Sequence, residues 1–296
     1  MAQRGIREYD GKRIIAQNWK DYFGDAFEYD FKSVLVTPET DFDKLPEEHP
    51  WLKTTPLVAK PDMLFGKRGK LGLVLFKINK PGDVTYEDAV KWIKQKMQEE
   101  VEINGVKGHL THFLIEPFIP HKPEEEYYLA FSMGDDYDTV YMSAFGGIDV
   151  EENWDKVSEV KIPPTASDEE IEKLIKQNVP KEIKDKEKYA DFVIRAYKMF
   201  RDLHFVYFEI NPLVLVGNKA YLLDFVGKVD DTAGFVVGKK WGELEFPSGF
   251  GRDLTPEEKY IKELDEKSGS SLKLTILNPE GRIWTLVAGG GASVVY

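Results

Sequence analysis

The segment Tyr207-Phe-Glu-Ile-Asn-Pro-Leu-Val-Leu-Val-Gly-Asn-Lys-Ala-Tyr-Leu-Leu-Asp-Phe-Val226 reads as two apolar runs on either side of Gly217-Asn218, a pair suited to a two-residue primed turn. With that turn Val216 faces Lys219. Counting back, Asn211 lies opposite Asp224 and Glu209 opposite Val226, so that Glu209, Asn211 and Asp224 share one face. Directly opposed residues hold their Cβ atoms roughly 4.5 to 5.5 Å apart, near enough for a carboxylate and an amide oxygen to grip one cation. Magnesium takes hard oxygen ligands and leaves positions for phosphates. The plain alternative is that Asn211-Pro212 breaks the strand and the acids are solvated. Leu213, Leu215, Ala220 and Leu222 are expected to continue the same face as apolar, and polar groups on a buried face need a partner.

Working outward, the 296 residues are 42% apolar and 13% aromatic, enough for one large or two ordinary domains. No apolar run approaches the ~20 residues of a membrane span, and the first ten residues lack the apolar core of a secretion signal. A soluble, cytoplasmic protein with no membrane partner is expected. There is no cysteine, which excludes disulfides, thiolate nucleophiles and cysteine-bound metals. The net charge of -12 disfavours nucleic acid as the main partner. Against that sign, Lys60 and Gly66-Lys67-Arg68-Gly69-Lys70 form a basic island, which points to a small anion.

The spacing predicts an amphipathic helix over 11–23, a β-rich run at 33–37, and an apolar strand ending at Lys60. After the basic turn, Leu71-Gly-Leu-Val-Leu-Phe76 reads as another strand, so that strand, turn and strand make either a phosphate lid or an exposed hairpin tip kept soluble by its charges. A helix is expected from Tyr86 to Val101. Phe113-Leu-Ile-Glu-Pro-Phe118 ends an apolar strand on an acid and a proline, and Glu116 is either a strand terminus or an acceptor for sugar hydroxyls. Strands are also expected over 127–133 and 139–145. Ser167-Asp-Glu-Glu170 is a capping box, a longer helix covers 188–204, and Thr255-Pro-Glu-Glu258 starts another. Leu272–Leu277 and Arg282–Val287 read as two strands running into Gly289-Gly-Gly291, like the entrance to an anion-binding helix start.

Taken in order, Thr37-Pro-Glu-Thr-Asp-Phe42, His49-Pro-Trp-Leu52, Val58-Ala-Lys-Pro-Asp62, Lys67-Arg-Gly-Lys-Leu-Gly-Leu-Val74, Phe113–Phe118 and Phe208-Glu-Ile-Asn-Pro-Leu213 carry a family resemblance. So do Lys228-Val-Asp-Asp-Thr232, Glu245-Phe-Pro247, Phe250-Gly-Arg252, Lys267-Ser-Gly269, Leu274-Thr-Ile-Leu-Asn-Pro279 and Gly281-Arg-Ile-Trp-Thr285. The whole chain resembles the nucleotide-binding portion of the ATP-citrate lyase family, including the small subunit of its two-subunit forms, and shares a superfamily with the β subunit of succinyl-CoA synthetase. The resemblance implies an α/β (α+β) chain: an ATP-grasp domain over 1–242, then a linker helix and the incomplete start of a doubly wound, CoA-synthetase-like citrate-binding domain over 243–296.

It also implies roles. Lys60, Arg68 and the Gly69 backbone would hold ATP phosphates and Glu116 the ribose. Asn211 and Asp224 would ligate Mg2+, with a peripheral metal site at Asp265, Ser268 and Ser270. The γ-phosphate would pass to a histidine on a larger partner subunit, which also carries the CoA site and the citryl-CoA cleavage domain, and then to citrate. None of His49, His109, His112, His121 or His204 inherits that role. Phe145 stands where the family pattern has an acid before the glycine pair. Because family members continue beyond Tyr296 into citrate-binding residues, this chain is expected to bind MgATP and to be inactive alone. Two other readings are a citryl-CoA synthetase or succinyl-CoA synthetase β-type subunit, and a nucleotide-responsive scaffold without turnover.

Overall fold

The computed structural model describes residues 3–76, 83–147, 150–251, 254–268 and 272–287. Its strands are β1 (Gln3–Ile6), β2 (Val34–Val36), β3 (Leu57–Pro61), β4 (Glu100–Ile103), β5 (Val106–His109), β6 (Phe113–Pro117), β7 (Glu126–Ser132), β8 (Asp138–Ser143), β9 (Ser158–Ile162), β10 (Phe205–Val216), β11 (Lys219–Leu222) and β12 (Phe225–Asp230). The helices are α1 (Glu8–Phe23), α2 (Leu45–Glu48), α3 (Tyr86–Gln98), α4 (Asp168–Gln177), α5 (Lys186–Asp202), α6 (Gly234–Trp241) and α7 (Pro256–Ser268). Among them none is long and apolar enough to cross a membrane.

A seven-stranded sheet runs β1-β12-β10-β7-β8-β9, with β11 also paired to β10, and every pairing in it is antiparallel. One face is covered by α1 and α5. Ile14, Ile15, Trp19 and Phe23 of α1, spaced to line one side of a helix, meet Phe192, Val193, Ala196 and Phe200 of α5 over Phe131, Met142, Phe208 and Val229. The Trp19 and Phe23 rings stack at 3.8 Å, and Phe192 lies 5.0 Å from Phe23. The other face carries a smaller cluster of Tyr128, Ala130 and Val150.

A second, three-stranded sheet has the order β2-β6-β3 and its own core, in which Val34, Val36, Leu57, Ala59, Phe113 and Ile115 pack with Ala89 and Ile93 of α3. Two cores on two sheets, with helices on one side of the larger, make a mixed α/β architecture. Helix starts follow local chemistry at α3 and α4, where Thr85 with Asp88 and Ser167 with Glu170 form reciprocal capping boxes. Helix α1 starts three residues earlier than its periodicity indicates. Its first N–H groups find their acceptor far off in sequence: Asp62 takes Glu8 N at 2.7 Å and Tyr9 N at 3.0 Å.

Three expectations are corrected. Residues 71–76 do not form a strand; Leu75 makes a single antiparallel bridge with Ala59, because Gly72 turns the chain at φ 67° and leaves little extended backbone to pair. Residues 272–287 contain no strand. Leu277, Ile283, Trp284 and Leu286 are 82 to 95% exposed, and two apolar runs without a neighbouring sheet have no hydrogen-bond ladder to join. Helix α7 instead draws the start of this segment back onto itself, with Asp265 accepting Leu272 N at 2.7 Å and Glu258 accepting Ile276 N at 2.7 Å.

The third correction concerns the hairpin. Its register is as counted: Val216 pairs with Lys219, Glu209 with Val226, and Asn211 N donates to Asp224 O at 3.1 Å. The apolar face, however, does not continue past Asn211. Phe208 and Ile210 enter the same core as Leu213, so β10 changes faces between Ile210 and Leu213, where its pairing with β7 also shifts. The opposing segment does likewise, since Leu222 and Phe225 lie in that core together. Asn211 and Asp224 therefore occupy the point where both strands swap sides.

Candidate functional site

Where the two sheets and α1 meet, charged side chains gather in a largely buried cluster. Glu8 is central. Its Oε1 lies 2.7 Å from both Lys12 Nζ and Lys60 Nζ, and its Oε2 accepts from Arg68 at 2.7 Å. Lys12, one turn along α1, also reaches both oxygens of Glu116, at 2.9 and 3.0 Å, and Ser33 Oγ donates to Glu116 at 3.0 Å. Lys60 adds Leu223 O at 2.7 Å and Glu116 at 3.3 Å. Arg68 donates to Pro61 O at 2.7 Å and to Asp224, which also stands 3.9 Å from Lys60.

Each shift in this cluster has a nameable cause. Burial works to raise the Glu8 pKa, but Lys12, Lys60 and Arg68 together outweigh it and hold the carboxyl well below its usual range. Burial likewise works against the charge of Lys12 and Arg68. Glu116 and Glu8 overcome it for Lys12, and Asp224 and Glu8 for Arg68, so that both are held above their ordinary values. Asp62 is pushed up to about 6, first by burial and then by the Glu8 charge, despite its two backbone donors. Asp224 is also pushed up to about 6, by desolvation and by Glu8, against the pull of Arg68 and Lys60. Its side chain is 39% exposed, so its carboxylate is crowded by protein on one side and open on the other.

The residues singled out from the sequence fall into two groups. Lys60, Arg68, Glu116 and Asp224 come together. Arg68 points inward and is 7% exposed, so it acts from within the site instead of as a lid over it, while Gly69 sits in the exposed turn beside it. Asn211 is adjacent in register to Asp224, but its amide is turned to Gly147, whose N–H donates to Oδ1 at 2.6 Å and whose carbonyl accepts from Nδ2 at 3.3 Å. Gly147 adopts φ 78°, and a side chain there would meet Glu126 Oε2 at 2.3 Å, so only glycine brings the loop this close. Glu209 leaves the trio expected for it: its Oε2 accepts from Tyr128 OH at 2.9 Å and Tyr207 OH at 2.5 Å. Phe145 is exposed, with Lys156 Nζ 4.6 Å from its ring centre. Asp265 is the backbone acceptor described above; the Ser268 side chain, Ser270 and the triple glycine lie outside the described residues.

Glu8, Lys12 and Asp62 were not identified from the sequence as site residues. The available signal was an i,i+4 Glu–Lys pair opening a helix, a pattern most often found on solvated faces. Their burial comes from contacts with residues 52 to 211 positions away.

No group of three or more His, Asp or Glu side chains gathers as a metal cage among the described residues. Asn211 and Asp224 are opposed in register across the hairpin, but Gly147 N–H already occupies the amide oxygen and Arg68 the carboxylate, so the pair suits only an ion that takes most of its ligands from phosphate and water, as Mg2+ does.

Comparison with known proteins adds an independent observation. Residues 2–241 match the family profile described as ATP-citrate synthase ATP-grasp domain, and residues 252–296 match ATP citrate lyase citrate-binding. The chain belongs to the ATP-citrate synthase family. It is 46% identical to ATP-citrate synthase alpha chain protein 2 of Arabidopsis thaliana, over all of this chain and 67% of that one. It is 42% identical to the Homo sapiens ATP-citrate synthase, of which it spans 26%. The solved ATP citrate lyase of Methanothrix soehngenii, in complex with citrate and coenzyme A, superposes with a TM-score of 0.84 at 46% identity, covering 99% of this chain and 67% of that one. Residues 2–241 are thus the ATP-grasp domain of an ATP-citrate synthase chain, and the cluster above lies within them.

Proposed function

We propose that the chain binds MgATP at the Lys60–Arg68–Asp224 cluster and supplies the phosphoryl group that activates citrate. The observation that carries this reading is the placement of two buried cations against a solvent-reachable carboxylate, inside a segment matched to an ATP-grasp domain. A citrate carboxylate is a poor electrophile. Conversion to an acyl phosphate makes it reactive, and coenzyme A then displaces phosphate to give citryl-CoA, which is cleaved to acetyl-CoA and oxaloacetate.

In this reading Lys60 and Arg68 hold the phosphates and disperse the charge of the transferring group, with the Gly69 backbone beside them and Glu116 toward the ribose. Asn211 and Asp224 would hold Mg2+, which when bound would neutralise phosphate charge and orient the triphosphate. The phosphorylated histidine, CoA site and cleavage domain belong to a larger partner or a further part of the protein. That agrees with this chain spanning 67% and 26% of its relatives.

The test is reconstitution with that partner. Radiolabel from γ-labelled ATP should appear on the partner's histidine, and citrate, CoA and MgATP together should yield acetyl-CoA and oxaloacetate. Accumulation of citryl-CoA alone would mark a synthetase. Nucleotide binding with no transfer to any partner would leave only a scaffold.

A further inference from the structure

Three cations, Lys12, Lys60 and Arg68, pair with three carboxylates, Glu8, Glu116 and Asp224, and a fourth, Asp62, sits on the backbone of Glu8, so the cluster holds no excess positive charge before any phosphate arrives. A triphosphate therefore binds only if one carboxylate yields its place. The carboxylates differ in exposure: the side chain of Glu8 is 2% exposed, Glu116 14% and Asp224 39%. Glu8 is also fixed through its backbone, because Asp62 holds its N–H and that of Tyr9 at the start of α1.

Donor counting agrees. Lys60 donates to Glu8 Oε1 and to Leu223 O, with Glu116 Oε2 3.3 Å away. Arg68 spends its NH2 group on Glu8 and Asp224 and an NH1 proton on Pro61 O. Of the cations' carboxylate partners, the one at the solvent side is Asp224.

We propose that Glu8 is a positioning residue of the nucleotide site: a permanent counter-ion that binds Lys60 with one oxygen and Arg68 with the other, fixing the two cations side by side, while Asp224 is the exchangeable partner whose place on Arg68 passes to phosphate. This rests on the reading of Lys60 and Arg68 as phosphate-binding residues. Two acids in one cluster thus have opposite effects on nucleotide. Removing the charge of Asp224 frees Arg68, whereas removing that of Glu8 lets two like charges separate.

The experiment is calorimetric titration of the 296-residue chain with ATP, once in EDTA and once in excess Mg2+. Asp224→Asn should bind metal-free ATP at least about fivefold more tightly than wild type and MgATP more weakly. Glu8→Gln should bind both forms at least about tenfold more weakly. Tighter binding of metal-free ATP by Glu8→Gln would make Glu8 a second competing anion and overturn the proposal. If Glu8→Gln does not fold, Glu8→Asp serves instead: it keeps the charge but is one methylene too short to bridge both cations. It should show the same weakening, and wild-type affinity there would also overturn the proposal. Lys60→Met and Arg68→Met separate this failure from that of the underlying site. Unchanged ATP affinity in both removes the phosphate-binding reading and the role of Glu8 with it, whereas losses in both beside an unaffected Glu8→Gln reject Glu8 alone.

Discussion

Asp62 is 1% exposed and accepts the N–H groups of Glu8 and Tyr9, so it serves as a helix cap reaching across from another segment. Its folded pKa, about 6, lies above that of a free aspartate, so the folded chain holds the extra proton across the interval between them. The associated stability is fully present below about pH 4 and is lost as pH rises through about 6. The unfolding free energy of wild type minus that of Asp62→Asn should therefore fall by on the order of 2 kcal/mol between those values and stay flat above pH 7. Denaturant titrations at each pH test this, and a difference that grows with pH would exclude it. Glu8 has the opposite sign: with its folded pKa depressed, it stabilises at neutral pH and ceases to do so in acid. At the proposed metal pair, Asn211→Ala and Asp224→Ala should each diminish the rise in melting midpoint that MgATP gives. An undiminished rise in both would remove the metal assignment.

Among the elements, α1 carries the heaviest packing demand, because Gly11 lies against Phe225. A Cβ at Gly11 would stand 2.0 Å from Phe225 Cε1 and 2.4 Å from Cδ1. The ring has no room to swing, since Phe208 and Phe205 pack on it edge to face at 4.9 and 6.1 Å. Alanine gains about 1 kcal/mol over glycine in a helix interior. Overpacking a core costs about 3 kcal/mol, and the clash is the larger effect. Gly11→Ala should thus lose about 2 kcal/mol net, read from chemical denaturation. Ser167→Ala, which removes the α4 capping box, should lose about 1 kcal/mol and leave MgATP affinity unchanged, because α4 contributes no residue to the charged cluster. The Ser167 cap was legible because Ser167 and Glu170 are three residues apart in the chain. The α1 start was not, because its cap comes from residue 62.

For the molecule as a whole, binding to the folded state alone shifts the unfolding equilibrium, and MgATP at about a hundred times its dissociation constant should stabilise the chain by roughly 2.7 kcal/mol. A midpoint rise of about 5 °C or more in a thermal melt is the expected sign. Arg68→Ala should shrink it. The exposed apolar side chains of Leu277, Ile283, Trp284 and Leu286 add nothing to this cooperative unit, so their replacement by serine should leave the midpoint within about 1 °C.

The sequence alone determined what depends on neighbours along the chain. It set the turn at Gly217-Asn218, the register that places Asn211 opposite Asp224, the capped helices, the basic stretch around Arg68, and, through motifs in a fixed order, the family. Tertiary structure decided what depends on residues far apart. It placed Glu8, Lys12 and Asp62 inside the charged cluster, turned Asn211 toward Gly147, switched the faces of β10 at residue 211, and left 272–287 without a sheet. The physical reason is that hydrogen bonds in a turn or a cap are fixed by local spacing, whereas burial of a charge and its choice of partner are fixed only when separate segments are brought into contact.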